Sequence, residues 1–387
     1  MSADLDLPVD ADRLTAAAAA AVGEHADVAL RERLRSSPRT VVVRADLTDA
    51  GGTRPVVLKL SVDAGETGAR EEAALRLLAS RGATGVVGLL GVGEDLPVLV
   101  LQDLGEHPTL ADHLLGRDAD AATSALTAWA SAVGRLQAAT RDDADAFAAA
   151  LERASPLGPP ALDTTAEDLR TAVSALGEQL PALGVDVPGA VAEELRGLGD
   201  QLGRSEAPRG LVTGDTCPDN AVLVPPGPGA PDGVRLLDLE GAQHRHVAWE
   251  AAYLLLPWPS CWCSWRLPPD ATATALAAWR DAVAPTVPAS CSPADLDADL
   301  DAAVVAWTVV TASWFLPAAL GDDPGPSDPR LDGLVPRRRA LLPHRLGVAA
   351  RAADGRWPVL ASWCEQVREV AVRAWGERPL ELAPAYR

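Results

Sequence analysis

The pattern of apolar residues changes near Gly105, and this change constrains the fold more than any other feature of the chain. Before it, short apolar and β-branched runs alternate with turns; after it, long stretches rich in alanine and leucine follow one another. Short alternating runs are typical of β-strands, whereas the long stretches have a helical period. We therefore predict an α+β chain with two lobes, a small antiparallel β lobe over residues 1–104 and a large, mainly helical lobe over 105–387.

Each lobe has its own predicted order of elements. The β lobe should run strand, strand, helix, strand, strand, and residues 16–21 should belong to a preceding helix. The predicted strands are 40–47, 55–61, 86–92 and 97–102, and the helix between the two pairs is 66–80. In the second lobe the predicted helices are about 121–140, 164–179, 187–203, 247–256, 271–283, 296–316 and 356–376. Two short strands, 220–224 and 234–237, should form a hairpin around the loop 225–233.

Charge and cysteine content limit the functional classes. The formal net charge is −20, so the chain lacks the cationic balance that a nucleic-acid binder needs. The five cysteines are odd in number and have no repeated spacing, so we expect free thiols and a reducing, cytoplasmic location. The acidic N-terminal segment, with Asp4, Asp6, Asp10 and Asp12, is unlike the basic start of a signal peptide.

One uncharged stretch, residues 302–320, is nearly long enough to span a bilayer. However, Thr308, Thr311 and Ser313 interrupt it, and aspartates rather than basic residues flank it on both sides. We therefore expect no membrane segment and predict that this stretch is a buried helix of the large lobe.

Lys59 is the single lysine of the chain, since 33 of the 34 Lys and Arg residues are arginine. It lies in the apolar run VLKL of a predicted strand, which disfavours the alternative of a surface lysine present by chance. A compact ammonium can lie between two phosphate oxygens where a broad guanidinium does not fit. Kinases place such a lysine on their third strand and pair it with a glutamate from the next helix.

The predicted helix 66–80 offers that glutamate. Glu71 lies on the same helical face as Leu75 and Leu78, so it should point toward the sheet and Lys59. Glu72 is displaced by about 100° and should face solvent. The alternative is that both are solvated helix charges.

The strongest signal is the string TGDTCPDN at residues 213–220, followed after a hairpin by LLDLE at 236–240. In phosphoryl transfer one aspartate orients the attacking hydroxyl and accepts its proton, while an asparagine and a second aspartate hold Mg²⁺. Asp215, Asn220 and Asp238 have the residue types and the order for those tasks. Aspartate and asparagine are also common in turns, but the added presence of Lys59 upstream makes chance a poor explanation.

The chain resembles the aminoglycoside phosphotransferase and choline kinase family, which has a protein-kinase-like fold. The string at 213–220 resembles its H-G-D-x-x-x-x-N motif, and LDLE at 237–240 resembles its I-D-W/F-E motif. LVLQDLG at 99–105 is similar to its hinge, and REEAAL at 70–75 to its R-E-x-A-A-L helix. The resemblance covers about residues 30–350.

That resemblance implies a small-molecule kinase that uses ATP and Mg²⁺. It implies Asp215 as catalytic base, Lys59 and Glu71 as the catalytic pair, and Asn220 and Asp238 as metal ligands. The hinge at Gln102, Asp103 and Leu104 would bind the nucleotide base. Residues of the second motif and after it, Glu240, Trp258, Trp262 and Trp265, would contact the acceptor, although the tryptophans are equally well interpreted as core residues.

Two departures from the family pattern are visible. The histidine of the motif is Thr213 here, and no G-x-G-x-x-G precedes the first hairpin, so the turn that covers the nucleotide is expected near residues 35–39. The acceptor stays open among aminoglycosides, amino sugars, amino alcohols and similar metabolites, and the negative net charge is compatible with a cationic one.

Two other interpretations remain. A catalytically weak protein that keeps the fold and binds nucleotide or ligand is the alternative to an active kinase. Separately, His244, His246, Cys261 and Cys263 form an H-x-H…C-x-C set with some capacity for zinc, but their spacing matches no standard zinc module.

Overall fold

The computed structural model describes residues 7–62, 65–155, 158–228, 230–326 and 331–387, so Asp4 and Asp6 and part of the predicted loop 225–233 lie outside the described residues. The strands in these ranges are β1 Asp27–Ser36, β2 Thr40–Asp49, β3 Gly52–Ser61, β4 Leu89–Val92, β5 Val98–Gln102, β6 Arg209–Val212, β7 Ala221–Leu223, β8 Val234–Leu236 and β9 Gln243–His246. The helices are α1 Ala11–Val22, α2 Glu66–Ser80, α3 Leu110–Leu115, α4 Ala119–Ala139, α5 Ala144–Ala154, α6 Thr165–Gln179, α7 Gly189–Gly203, α8 Ala248–Leu255, α9 Pro269–Val283, α10 Pro293–Leu320, α11 Arg338–Ala353 and α12 Pro358–Trp375.

The first lobe is an antiparallel five-stranded sheet in the order β1-β2-β3-β5-β4. Because successive side chains of a strand point to opposite faces, the sheet presents two different surfaces. Val56, Leu58 and Leu60 of β3 are buried in a cluster that includes Leu14 of α1. Lys59 belongs to the opposite face, on the side of α2, and this alternation directs its side chain toward the other lobe.

The strand order predicted for this lobe was incomplete, because β1 was missed. Its sequence, DVALRERLRS, is crowded with charges, and most of its residues are exposed. Two register irregularities, between Leu30 and Glu32 and between Arg33 and Arg35, also break its alternation. Pairing with β2 holds this edge strand in place, and a sequence pattern that reports burial cannot detect it.

The predicted strand 86–92 is shorter in the structure, since β4 begins at Leu89. Val86 instead makes a parallel bridge with Leu236 of β8, and the amide of Val87 donates to the carbonyl of Leu236 over 3.0 Å. The segment before β4 therefore joins the two lobes.

The second lobe packs its helices around α10, which extends the predicted helix 296–316 in both directions. Most of its residues are buried, and its principal helical contacts are with α6, α8 and α11. Among the described residues α10 is the one helix long and apolar enough to cross a membrane, and 67% of its apolar window is buried within the protein. The sequence analysis missed α3, α5, α11 and the short strands β6 and β9.

Arg70 of α2 links the lobes through its guanidinium. The residue is 3% exposed, and its guanidinium donates to the carbonyls of Ala242 over 2.9 Å and Ala161 over 2.8 Å, both in the second lobe. The next residue along the helix is Glu71, so this contact fixes the position of Glu71 relative to the second lobe.

A close backbone approach joins the ends of β6 and β9. Gly214 has φ +82°, and a Cβ built on it would lie 2.1 Å from the carbonyl oxygen of Gly241. Neither the left-handed backbone nor the available space accepts a side chain there.

We expect Gly214→Ala to lower the free energy of unfolding by about 2–4 kcal/mol, because it adds both backbone strain and a backbone clash. The matched control is Gly177→Ala in α6, where a Cβ meets no atom within 4 Å. A helical Gly→Ala change should stabilise by about 0.5–1 kcal/mol. Urea denaturation of both variants measures the difference, and equal effects would contradict this account of the β6–β9 contact.

Candidate active site

Lys59 lies at the meeting point of the two lobes and makes two ion pairs. Its Nζ is 2.5 Å from Oε2 of Glu71 and 2.6 Å from Oδ1 of Asp238. The Lys59 side chain is 11% exposed, that of Glu71 is 3% exposed and that of Asp238 is 23% exposed. The pairing with Glu71 predicted from the helix face is thus present, and Glu72 instead pairs with Arg76 at the surface.

The charges of this group depend on one another. Burial alone would lower the pKa of Lys59, but the carboxylates of Glu71 and Asp238 outweigh it and raise that pKa. Burial raises the pKa of Glu71, and the ammonium of Lys59 opposes that rise. Lys59 is therefore held as an ammonium, with two carboxylates competing for it.

The β7–β8 hairpin brings Asn220 and Asp238 together. Ala221 pairs with Leu236, and the amide of Leu237 donates to the carbonyl of Asn220 over 2.8 Å. Asp238 follows with φ 59°, so the chain turns away from the hairpin at the carboxylate. The Nδ2 of Asn220 donates to the carbonyl of Asp215 over 3.0 Å, and no described residue donates to its Oδ1.

Asp215 lies on the loop between β6 and β7, with one carboxylate oxygen already engaged. Its Oδ1 accepts from Ser260 Oγ over 2.7 Å and from Cys217 Sγ over 3.2 Å. No described residue donates to Oδ2. Burial raises the pKa of Asp215, and the two donors partly oppose that rise.

Thr213, which replaces the family's histidine, is anchored by a carboxylate that the sequence analysis missed. Oε1 of Glu250 accepts from both the amide and the hydroxyl of Thr213 over 2.6 Å. Glu250 is fully buried, and Gln137 donates to its other oxygen over 3.3 Å. A lone acid in the apolar run AWEAAYLL was the available signal for Glu250. Ser260 had no comparable signal, because its contact depends on a turn 45 residues away from Asp215.

The predicted hinge begins at Gln102, the last residue of β5. The Asp103 carboxylate accepts from Arg44 Nε over 2.7 Å and from the amide of Gly105 over 2.8 Å, so its side chain is committed to the turn. The amide of Gln102 donates to the carbonyl of Gly88 over 2.8 Å. Within the described chain no residue hydrogen-bonds to the backbone of Leu104, which leaves its amide and carbonyl available to a ligand.

The turn between β1 and β2 falls within residues 35–39, where the nucleotide-covering turn was predicted. From this turn Arg39 Nη2 reaches Oε1 of Glu240 over 3.4 Å, across the gap between the lobes. Glu240 is half-buried, and burial raises its pKa.

The three predicted acceptor tryptophans divide into two kinds. Trp258 and Trp265 are fully buried, and Trp258 packs edge-on against Trp129 with ring centroids 5.1 Å apart. Trp262 is partly exposed and lines a cavity of about 470 Å³ together with Ser260, the residue that bonds Asp215. Arg337 and Arg338 line the same cavity.

The predicted H-x-H…C-x-C zinc set does not form. His244 Nε2 lies 3.0 Å from the carbonyl of Thr140, and His246 Nε2 lies 3.0 Å from Asp299 Oδ2. Both histidines are on β9, which pairs with β6 and therefore directs them into the core of the second lobe.

Both cysteines of that set lie instead next to the loop that carries Asp215, since Cys261 Sγ is 3.9 Å from Asp219 Oδ1 and the amide of Cys263 donates to Cys261 Sγ over 3.4 Å. Burial would raise the pKa of Cys261, but hydrogen bonds from the thiols of Cys217 and Cys263 outweigh it and lower that pKa to about 7. All five cysteines are free thiols.

Comparison with known proteins bears on this geometry. The family model APH, described as the phosphotransferase enzyme family, matches residues 33–312, more than half of the 387-residue chain. The chain belongs to this family. The resemblance found in the sequence is confirmed, and the β lobe joined to the helical lobe is the expected α+β, protein-kinase-like fold of this phosphotransferase.

Solved structures that resemble this phosphotransferase are distant in sequence. The GDP complex of wild-type aminoglycoside 2'-phosphotransferase-IIIa is 13% identical, with 91% of this chain and 94% of that chain covered and a TM-score of 0.47. Choline kinase from Cryptosporidium parvum is 10% identical, with coverages of 87% and 93% and a TM-score of 0.48. Ethanolamine kinase from Plasmodium vivax is 9% identical, with coverages of 87% and 83% and a TM-score of 0.48. No curated protein matches the chain.

We expect Lys59→Met to lower the free energy of unfolding by about 3 kcal/mol or more, because it leaves the buried Glu71 carboxylate beside Asp238 without a cation. Adding Glu71→Leu should recover most of the loss, since an apolar pair can replace a buried ion pair. Arg76→Met is the matched control at an exposed pair with Glu72, expected to cost about 0–1 kcal/mol. Denaturant unfolding at neutral pH compares the three, and a Lys59→Met loss no larger than the control's would refute the claim.

Proposed function

We propose that this protein transfers the γ-phosphoryl group of ATP to a hydroxyl of a small molecule, with Mg²⁺ as cofactor. One observation carries the proposal: the single lysine of the chain bridges Glu71 of the first lobe and Asp238 of the second, with Asn220 and Asp215 on the adjoining loop. Both lobes thus contribute charges to one interlobe site, which is the arrangement that phosphoryl transfer requires.

The first lobe would bind the nucleotide. Lys59 supplies a point charge for phosphate oxygens, and Glu71 keeps that charge in place. The free backbone groups of Leu104 are suited to the nucleotide base. The turn that carries Arg39 lies over the second-lobe residue Glu240 and would cover the phosphates.

The donors at the hairpin fit Mg²⁺. This hard cation prefers oxygen ligands and takes few of them from protein. The Asp238 carboxylate and the Asn220 Oδ1, which no described residue contacts, are two such oxygens. When bound, Mg²⁺ would neutralise charge on the phosphate oxygens.

Asp215 would orient the acceptor hydroxyl and take its proton. Ser260 and Cys217 both donate to Oδ1, so they fix the carboxylate while Oδ2 stays open. Burial raises the pKa of Asp215, so this carboxylate accepts a proton more readily than an exposed aspartate does. This favours a role as general base.

The acceptor would enter from the 470 Å³ cavity beside Ser260. Trp262 offers an aromatic face for a ring. Arg337 and Arg338 line the cavity, so we expect the acceptor to present a neutral or anionic group on that side rather than the cationic group compatible with the net charge.

A catalytically weak nucleotide binder is the second candidate, favoured by the loss of the motif's histidine at Thr213. Thermal shift with Mg·ATP or Mg·GTP reports nucleotide binding, and incubation with a library of amino sugars, amino alcohols and other hydroxylated metabolites, read by mass change, reports transfer. Binding without any phosphorylated product would favour the weak binder. Absence of both would reject the proposed function.

With a confirmed acceptor, Asp215→Asn should lower kcat by about 10²–10⁴-fold, because it removes the proton acceptor but keeps the size of the side chain. Nucleotide affinity should stay near the wild-type value, since the nucleotide contacts assigned above do not include Asp215. Asp142→Asn, at an exposed position, is the matched control. Steady-state kinetics and nucleotide titration separate the effects. A loss below about threefold would remove Asp215 from the role of base.

The pH profile should report the same carboxylate. The basic form of Asp215 is fully present above its pKa and is lost as pH falls through it, so kcat/KM should fall on the acid side. Because burial raises this pKa, the fall should begin above the range of an exposed aspartate.

Ser260→Ala removes a donor that lowers the pKa of Asp215, so the acid limb of the profile should move to higher pH. Ser80→Ala, at the end of α2, should leave the profile unchanged. An acid limb that does not move in Ser260→Ala would contradict the assignment.

A further inference from the structure

Sulfur and oxygen donors converge beside the loop that carries Asp215. The ligand atoms of Cys217, Asp219 and Cys261 all lie within 4.8 Å of one another. Cys217 and Cys261 are 5% and 6% exposed, and Asp219 is half-buried. Among the described residues no other group of three or more His, Cys, Asp or Glu side chains converges in this way.

Two segments distant in sequence build this group. Cys217 and Asp219 come from the loop before β7, whereas Cys261 follows α8. Trp262 Nε1 donates to Asp219 Oδ2 over 3.0 Å, which leaves Oδ1 directed to Cys261 Sγ at 3.9 Å. The Asp219 carboxylate is thus held in place with Oδ1 toward the thiol of Cys261, where it can act as an oxygen ligand beside the two sulfurs.

The spacing suits a tetrahedral thiolate metal site. A Zn–S distance of about 2.3 Å in tetrahedral geometry places two sulfur ligands about 3.8 Å apart. The three donor atoms are already within 4.8 Å, so a closure of about 1 Å or less brings them to that separation. Cys263 is a further sulfur donor in contact with the group, since its thiol contacts Cys261 and its amide donates to Cys261 Sγ over 3.4 Å.

A buried cation beside the group independently calls for negative charge there. Arg345 is 1% exposed, and its hydrogen-bond acceptors are carbonyl and hydroxyl oxygens, including those of Pro257, Pro259 and Ser264. In the described part of the chain no carboxylate makes an ion pair with it. Burial lowers the pKa of Arg345 to about 9, and negative charge on Cys261 or Cys217 would oppose that fall. Thiolates at Cys217 and Cys261 would supply the missing counter-charge.

We propose that Cys217, Asp219 and Cys261 bind one thiophilic divalent cation of the Zn²⁺ class, with Cys263 as the fourth ligand in reach. Thiolate ligands select such cations over Mg²⁺, whose proposed oxygen donors, Asn220 and Asp238, lie at the β7–β8 hairpin instead. Binding releases one proton from each thiol that ligates. When Cys217, Asp219 and Cys261 are all ionised, their three negative charges and the two positive charges of the cation give the occupied site a net charge of −1. This charge lies opposite Arg345.

Occupation of this site would act on the candidate active site. The Cys217 thiol donates to Asp215 Oδ1, and a metal-bound thiolate cannot make that donation. The binding itself does not depend on the proposed kinase function, so it is tested without any activity measurement.

The test is a titration of the reduced, full-length, metal-free protein with Co²⁺ in the presence of excess Mg²⁺. We expect thiolate-to-cobalt charge-transfer absorption that saturates at one Co²⁺ per chain and is displaced by Zn²⁺. Cys261→Ser and Cys217→Ser should each weaken Co²⁺ binding by more than about tenfold, and Asp219→Asn should weaken it less. Cys364→Ser in α12 and Cys291→Ser, both outside the group, are the matched controls and should match wild type.

A second measurement on the wild-type chain covers the case in which a variant fails to fold. Alkylation followed by peptide mass mapping should show that stoichiometric Zn²⁺ protects Cys217 and Cys261 and leaves the half-buried Cys291 as reactive as before. Absence of a charge-transfer band in wild type, or an undiminished band in a folded Cys217→Ser/Cys261→Ser variant, overturns the proposal. Equal alkylation of Cys217 and Cys261 with and without Zn²⁺ does so as well.

Discussion

The two ion pairs of Lys59 are the interaction on which the rest of the site depends. The ammonium joins Glu71 on α2 to Asp238 after β8, so one side chain sets the distance between a helix of the first lobe and a hairpin of the second. Burying two carboxylates near one another is costly unless a cation lies between them. Arg70, the residue before Glu71, adds a second, independent link, because its guanidinium donates to carbonyls of the second lobe. Together they fix the interlobe geometry that a transferred phosphoryl group would need.

The loop from Thr213 to Asn220 is held from beneath by groups outside the motif. Glu250 binds the amide and hydroxyl of Thr213, and this fully buried carboxylate would be unstable without those donors. Gly214 passes close to Gly241 where a side chain cannot fit. Threonine can therefore replace the family's histidine, because its hydroxyl still donates to the buried carboxylate of Glu250.

The loop before β7 contributes to both a group of oxygen donors and a group of sulfur donors, through Asn220 and Cys217. Asn220 and Asp238 offer oxygens next to Lys59, whereas Cys217 and Cys261 offer sulfurs near Arg345. Asp215 lies between these groups and contacts the sulfur side directly through Cys217. A cation bound at either group would therefore change the electrostatic potential at the Asp215 carboxylate, because the distances are short and the surroundings are buried.

The sequence by itself determined the family and the α+β fold. It also predicted Lys59, Glu71, Asn220 and Asp238 as site residues, because they lie in local patterns of strand, helix and hairpin that residue order alone specifies. It did not reveal β1, whose charges conceal an edge strand held by pairing with β2. Only the tertiary structure separated His244 and His246 from the cysteines, buried Trp258 and Trp265, and placed Ser260 against Asp215. Those contacts join segments tens of residues apart, and their geometry is set by how helices and strands pack, which no local periodicity encodes.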